Sequence, residues 1–388
     1  MKAGNIRHVV LGDIAKISSG GTPSRATPEY WGGDIPWVKT GQIQNGRITH
    51  ASIEEWITDR GLKESSAKMI KAGNLLMAMY GQGKTRGQVA ILEIDASINQ
   101  ACAAIELSSS VDRDYIFQFL RFCYERIRQM SNTGGQENLS SGLIKEIPVV
   151  LPPLSEQKAI ADLLSIWDDA IKKIELLIEA KKHRFRGLMQ ELLYEPIKKN
   201  NWDQLRASEL FDERREGARL DLPLLSITGS RGVIPREDTE RKDTSSEDKS
   251  KYLRICTGDI GYNTMRMWQG VSALSSLEGI VSPAYTICTP REQLIPEFVA
   301  YLFKLPIMIH KFYRYSQGLT SDTWNLKFRH FSEVLIPVPS LDEQESICGL
   351  LDVSAKEIEI LSGMLEGYKT QKRGLMQKLL TGEWRVNS

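Results

Sequence analysis

The stretch LPPLSEQKAIADLLSIWDDAIKKIELLIEAKKHRFRGLMQELL, residues 151–193, returns without a gap as VPSLDEQESICGLLDVSAKEIEILSGMLEGYKTQKRGLMQKLL, residues 338–380. The offset is 187 residues throughout, and 17 of the 43 aligned positions are identical, more than chance supplies. Glu156-Gln157 falls on Glu343-Gln344, and Arg186-Gly187-Leu188-Met189-Gln190 falls on Arg373-Gly374-Leu375-Met376-Gln377. In the first copy Ile160, Leu164, Trp167, Ile171, Ile174 and Ile178 alternate steps of four and three, and Phe185, Leu188 and Leu192 resume the stripe. The second copy keeps the phase at Ile347, Leu351, Ile358, Leu361, Leu365, Tyr368, Leu375 and Leu379. That spacing is the seam of a coiled coil. Each copy follows a proline-rich lead-in, where Ser155 and Asp342 are expected N-caps and Asp342 with Glu345 reads as a capping box.

Roughly 40 helical residues at about 1.5 Å each make a rod of about 60 Å. A narrow apolar stripe on such a rod needs a partner, and the other copy is the nearest candidate; antiparallel pairing would give a pseudo-twofold arrangement. The competing reading is that each helix packs on its own domain as an ordinary core element.

Upstream of each helix the register reaches Asn138-Leu139 and Asn325-Leu326. With small insertions it continues to Gly87-Gln88-Val89-Ala90-Ile91 on Gly270-Val271-Ser272-Ala273-Leu274, and to Asn99-Gln100-Ala101 on Ser282-Pro283-Ala284. The chain therefore reads as two tandem halves, each a variable region followed by a more constant helix. Two copies with so long a period are a domain duplication, not a solenoid. In the variable regions, residues 70–79 and 88–94 are strand-like. Residues 115–130 are helical by pattern, as are residues 296–315 with a break at Pro306. Residues 237–251 form a mixed-charge stretch expected to be solvated surface.

At 388 residues, with 41% apolar and 26% charged residues, the chain has the composition of a soluble globular protein of two or three domains. Its 50 basic and 49 acidic side chains leave a charge of +1, so any nucleic-acid partner must be held by local patches. The five cysteines, Cys102, Cys123, Cys256, Cys288 and Cys348, lie far apart without a C-x-x-C pair, which fits a reducing, cytoplasmic location and no metal site. No signal peptide or membrane span is expected.

Enzymatic motifs are missing. Ala78-Met79-Tyr80-Gly81-Gln82-Gly83-Lys84-Thr85 matches a permissive phosphate-loop pattern, but residues 86–92 alternate like a strand where a helix N-terminus must receive the phosphates. A glycine-rich basic hairpin loop is the expected structure. Pro152-Pro153 lacks the polar and aromatic neighbours of an amino-methylating tetrapeptide, and His8, His50, His183, His310 and His330 are isolated. No catalytic residue is assigned.

The chain resembles the specificity (S) subunits of type I restriction-modification systems over essentially its whole length. The resemblance is carried by Leu11-Gly12-Asp13-Ile14, by Gly20-Gly21-Thr22-Pro23-Ser24 and by Tyr30-Trp31-Gly32-Gly33-Asp34-Ile35-Pro36-Trp37-Val38-Lys39. It is carried further by both Pro-x-Leu-x-Glu-Gln lead-ins, by both Arg-Gly-Leu-Met-Gln-x-Leu-Leu ends and by Gly382-Glu383-Trp384-Arg385. Residues 195–335 match only loosely.

The resemblance implies an α/β (α+β) fold of two tandem target recognition domains, residues 1–150 and 195–337. Two long antiparallel coiled-coil spacer helices, residues 151–194 and 338–388, would separate them. It implies a non-catalytic, DNA-binding subunit with each domain reading one half of an asymmetric bipartite target. Two methyltransferase subunits and two restriction subunits would be its partners, and S-adenosylmethionine, ATP and Mg2+ would belong to them.

Candidate DNA contacts are Thr22, Ser24, Lys39, Gln42, Lys84 and Arg86 in the first domain and Arg266, Lys311, Arg314, Lys327 and Arg329 in the second. Basic and polar side chains on loops suit phosphates and base edges. Candidate interhelix residues are Ile160, Leu164, Trp167, Ile171, Ile174, Ile178, Ile347, Leu351, Ile358, Leu361 and Leu365. Trp31 and Trp37 are expected to pack rather than stack on bases. The alternative is a coiled-coil scaffold that bridges two copies of a protein partner without touching DNA. A fused nuclease or methyltransferase is disfavoured by the missing motifs.

Overall fold

The computed structural model describes residues 5–386 except 82, 131–137, 218, 220, 240–248 and 321–322. Both constant segments are helices, Leu154–Met189 and Leu341–Leu380. The first continues through one π turn, Gln190–Tyr194, into Glu195–Lys198. The expected caps are corrected. Ser155 and Asp342 already lie inside the first turn, and the acceptor at the second helix is the Ser340 hydroxyl, 3.3 Å from the Glu343 N–H. The seam extends one residue further toward each proline than the cap pattern suggests.

Residues 1–175 and 363–388 form one compact unit and residues 176–362 another. In the first unit the strands are β1 (Arg7–Val10), β2 (Ala15–Ser19), β3 (Trp31–Val38), β4 (Arg47–Ile48), β5 (Glu55–Ile57) and β6 (Met69–Ile70). They continue as β7 (Leu75–Ala78), β8 (Val89–Leu92), β9 (Ala96–Ile98), β10 (Cys102–Leu107) and β11 (Pro148–Leu151). They form a five-stranded sheet β2-β10-β7-β8-β4, a four-stranded sheet β5-β3-β9-β6 and the pair β1-β11.

Strands β7 and β8 are apolar without alternation because the larger sheet is covered on both faces. Leu75, Met77, Val89, Ile91, Ala103 and Ile105 enter one core with helices Arg113–Phe122 and Leu154–Met189. Leu76, Ala78, Ala90, Leu92, Cys102 and Ala104 enter a second core with Val38, Ile43 and Ile48. The register Leu75↔Ile91 and Leu75↔Ile105 sorts them by the two-residue period of a strand.

In the second unit the strands are β12 (Asp203–Arg206), β13 (Phe211–Glu213), β14 (Leu225–Thr228), β15 (Gly232–Pro235) and β16 (Leu253–Ile255). They continue as β17 (Ile260–Asn263), β18 (Ser272–Leu274), β19 (Gly279–Val281), β20 (Tyr285–Pro290) and β21 (Leu335–Val338). The order β13-β20-β17-β18 repeats β2-β10-β7-β8, and β12-β21 repeats β1-β11. Helices Pro296–Leu302 and Pro306–Tyr315 stand where Arg113–Phe122 and Tyr124–Gln129 stand in the first unit, and the breaks fall at Cys123 and before Pro306. The halves differ in the remaining layer, which is the four-stranded sheet in one and the separate pairs β14-β15 and β16-β19 in the other.

The seam residues are all buried or half-buried. Ile160 and Leu164 join their own domain's core, as do Ile347 and Leu351 in theirs. The reading in which each helix packs on its own domain therefore holds for the first turns. Beyond them the helices pair with each other. In the first unit Asp168 meets Lys372 at 2.6 Å, Glu175 meets Lys369 at 3.0 Å and Trp167 lies edge-on to Tyr368, an antiparallel order. In the second unit Lys181 pairs with Glu357.

The repeated Glu-Gln has the same use in both copies. Gln157 accepts from the Asp112 N–H at 2.8 Å and donates to the Pro152 carbonyl at 2.8 Å. Gln344 accepts from the Ile295 N–H at 2.9 Å and donates to the Pro339 carbonyl at 3.0 Å. Each glutamine is buried and ties the start of its long helix to the first residues of a domain helix. Gln157→Ala or Gln344→Ala strands buried backbone groups and is expected to cost about 1–3 kcal/mol. Urea unfolding of the full chain checks this, and a loss below about 0.5 kcal/mol would show that the glutamines are not structural pins.

Candidate nucleic-acid interface

In both units the strand pair after the central strand closes in a hairpin loop, between β7 and β8 and between β17 and β18. Equivalent bonds hold each loop. The Met79 N–H donates to the Ala101 carbonyl at 2.8 Å and the Thr264 N–H to the Ala284 carbonyl at 3.0 Å. A returning segment then docks on each: the Leu139 N–H donates to the Met79 carbonyl at 2.9 Å and the Leu326 N–H to the Thr264 carbonyl at 2.8 Å. The Asn-Leu pairs of the repeat thus mark the docking points. Gly87 and Gly270, also aligned by the repeat, close the hairpins with φ of 83° and 77°, a conformation that favours glycine.

The phosphate-loop resemblance ends here, because Val89–Leu92 is a strand and no helix opens at Lys84 and Thr85. Lys84 is exposed and pairs with no carboxylate among the described residues. The loop's backbone is held from below, where the Tyr124 hydroxyl donates to the Lys84 carbonyl at 2.6 Å and Arg128 donates to the Gly83 carbonyl at 2.8 Å. Gln44, exposed on the neighbouring turn Thr40–Asn45, donates to the Thr85 hydroxyl at 2.8 Å.

Three first-domain candidates are corrected. Gln42 is buried, accepting from the Lys39 N–H at 2.7 Å and donating to the Ser52 carbonyl, so it shapes the turn. Arg86 is 5% exposed, so its side chain is buried within the hairpin. Lys39 sits between Glu55 at 2.8 Å and Glu54 at 2.9 Å, and these carboxylates hold its pKa above the ordinary lysine value and neutralise its field. Thr22 donates to the Gln100 side chain, and Ser24 is exposed. Both lie on the Gly20-Gly21 turn, which must be glycine because a Cβ at Gly20 would stand 2.1 Å from the Ile98 carbonyl oxygen. Trp37 is buried and donates to the Gly21 carbonyl at 3.0 Å, with Trp31 edge-on at 5.0 Å, so both tryptophans pack. Sequence reasoning missed Arg25, whose guanidinium lies 3.6 Å from the Trp31 ring centroid and pairs with Glu55.

In the second domain Arg266, Arg314, Lys327 and Arg329 are exposed, and none pairs with a carboxylate among the described residues. Arg206, Arg214, Arg215, Arg219, Arg254 and Arg291 all do, so the four candidates differ from these arginines in keeping charge that no carboxylate offsets. Lys311 is corrected: half-buried, it donates to the Leu335 carbonyl at 2.8 Å and to Gln204 at 3.1 Å, and burial lowers its pKa. It fastens β21. Beside Arg266, Trp268 donates to the Met265 carbonyl at 3.0 Å and packs edge-on against Trp324, which meets Tyr313. This aromatic buttress was also not anticipated; the tryptophan inside a polar hairpin was the available signal. The sequence stretch 237–251 lies largely outside the described residues.

The described cysteines are all free, and burial pushes Cys102 up to about 12 and Cys123 up to about 11, away from reactive thiolates. No helix among the described residues is long and apolar enough to cross a membrane.

Comparison with known proteins agrees with this geometry. Residues 5–182 match the family described as type I restriction modification DNA specificity domain. The chain is 30% identical over 193 residues to the type I restriction enzyme MjaIX specificity subunit of Methanocaldococcus jannaschii, a match spanning 49% of this chain and 42% of that protein. It is 23% identical over 409 residues to the MjaVIII specificity subunit of the same organism, spanning 98% and 93%. The type I restriction-modification S subunit of M. genitalium shares the fold, with a TM-score of 0.60 at 14% identity over 98% of this chain and 96% of that one. Similarity to type I specificity subunits extends over essentially the whole chain. The chain spans less than half the length of the MjaIX subunit that it matches.

Proposed function

We propose that this chain is the DNA specificity subunit of a type I restriction-modification complex, non-catalytic itself, in which each recognition domain reads one half of an asymmetric bipartite target. The observation that carries this reading is the pair of equivalent hairpins with unlike sequences, residues 79–88 around Lys84 and residues 264–271 around Arg266. The same backbone frame presents different side chains, as two readers of different half-sites require. Residues 1–150 and 195–337 are the recognition domains, and residues 151–194 and 338–388 are the spacers that set half-site separation. Lys84, Arg266, Arg314, Lys327 and Arg329 supply phosphate or base contacts, with Thr22 and Ser24 beside them.

The spacer helices also dock two methyltransferase subunits, to which two restriction subunits add. Ile166 and Val353 occupy equivalent positions and are 66% and 73% exposed; Leu177 and Met364 are likewise equivalent, at 43% and 44%. Exposed apolar residues at matching positions of the two helices suit two copies of one partner. S-adenosylmethionine, ATP and Mg2+ act in those partners, and the assembly works in the cytoplasm.

The test is duplex binding by the chain assembled with its methyltransferase, followed against salt. Affinity is expected to fall steeply as salt rises, and Arg266→Ala and Lys327→Ala are each expected to reduce the slope by about 1 if they neutralise phosphates. Binding that ignores salt, or that these changes leave untouched, would favour the scaffold reading.

A further inference from the structure

The two copies of the spacer helix are related by a constant offset, yet at two adjacent layers of their pairing they carry opposite chemistry. In the first unit one layer is aromatic, with Trp167 of the first helix edge-on to Tyr368 of the second at 5.5 Å. The equivalent positions in the second unit are Ser354 and Lys181, and Lys181 is ion-paired with Glu357. The next layer reverses the assignment. In the first unit Asp168 meets Lys372 at 2.6 Å, and Gln118 of the domain helix donates to the same carboxylate at 2.7 Å. Lys372 is 6% exposed, while Asp168, whose carboxylate also meets Arg121 at 3.3 Å, keeps 32% of its side chain exposed. In the second unit the equivalents are Ala355, Phe185 and Tyr301, and the two rings are 6.1 Å apart. The Tyr301 hydroxyl turns away to Asp352 at 2.6 Å.

We infer that these two layers make the helices mutually selective, so that the first helix accepts the second helix and rejects a second copy of itself. If two first helices paired, Trp167 would face Lys181 and Asp168 would face Phe185, a ring against an ammonium and a ring against a carboxylate that has lost its lysine. If two second helices paired, Ser354 would face Tyr368 and Ala355 would face Lys372, burying an ammonium against a methyl. Removing one partner of a buried ion pair is far costlier than replacing both. A polar residue at a seam position sets partner and register in coiled coils by the same means. Duplication creates the hazard, since two near-identical helices invite like-with-like pairing between chains, and the reversed layers disfavour it. This inference does not depend on the DNA-binding reading.

The full chain tests it. Asp168→Ala with Lys372→Phe gives the first unit the Ala and Phe of the second, so that all four helix pairings become compatible at that layer. Wild type, unfolded in urea and refolded over a wide concentration range, is expected to return as monomer by light scattering. The double variant is expected to partition into dimers in which like helices are paired, detected by cross-linking cysteines placed on the first helix alone, with a fraction that rises with concentration, roughly tenfold or more above wild type. In equilibrium unfolding, each single change is expected to lower stability, and the double variant to recover at least about tenfold in the folding constant relative to additivity. A double variant that refolds as monomer like wild type, a wild type that pairs like helices as readily, a double variant that fails to fold, or strictly additive single changes would each overturn the inference.

Discussion

Leu164→Glu is expected to unfold the first unit near 37 °C and to abolish methyltransferase assembly with it. Leu164 has no exposed surface and packs in the core that also holds Leu11, Tyr115, Ile160, Leu379 and Leu380. Truncating a buried leucine alone costs about 2–5 kcal/mol. Placing a carboxylate in the space adds the desolvation of an unpaired charge, on the order of 3–5 kcal/mol when no partner is available. Against a total stability of about 5–15 kcal/mol the sum is decisive. Leu351→Glu, in the equivalent position of the other core, is expected to do the same to the second unit. Thermal unfolding by circular dichroism and co-purification with the methyltransferase read both effects. Variants that still assembled and methylated at the normal rate would remove the spacer helices from the mechanism.

The second large effect concerns the target. Replacing residues 1–150 with the equivalent domain of another type I specificity subunit is expected to change one half of the methylated sequence completely. The other half and the spacing should stay as they were. The reason is structural: each unit builds its own sheet, core and hairpin, and the Gln157 and Gln344 side chains pin each to its own helix through backbone groups, by bonds that do not depend on loop sequence. A change in both halves, or in the spacing, would contradict the modular reading.

What could be read from the chain alone follows from how local each signal is. The heptad stripe is a property of consecutive residues, and it located both helices. The strand-like segments 70–79 and 88–94 contain the central strands Leu75–Ala78 and Val89–Leu92, although the first also crosses the turn that follows Met69–Ile70, and the intervening glycines located the hairpin. The Asn-Leu pairs, noticed only as repeat matches, turn out to mark where a distant segment docks on each hairpin.

Most of the failures are tertiary. Lys39 reads as a free cation until Glu54 and Glu55 arrive from a separate strand. Gln42 and Arg86 read as loop polar groups, and only the packing of the turn and the hairpin buries them. Lys311 looks like a helix-surface lysine, yet β12 and β21 bring a side-chain and a backbone acceptor to it. The caps at Ser155 and Asp342 missed because the helices begin on the preceding leucines, which periodicity alone does not distinguish from lead-in residues.

The central claim is that one chain carries two unlike readers at a fixed separation. Its most direct test is to express the chain with its methyltransferase in a host lacking other adenine methylation and map modified adenines across the genome. The account predicts a single asymmetric sequence in two parts with a constant gap, methylated on both strands. A palindromic target, a gap that varies from site to site, or no sequence-specific methylation would contradict it.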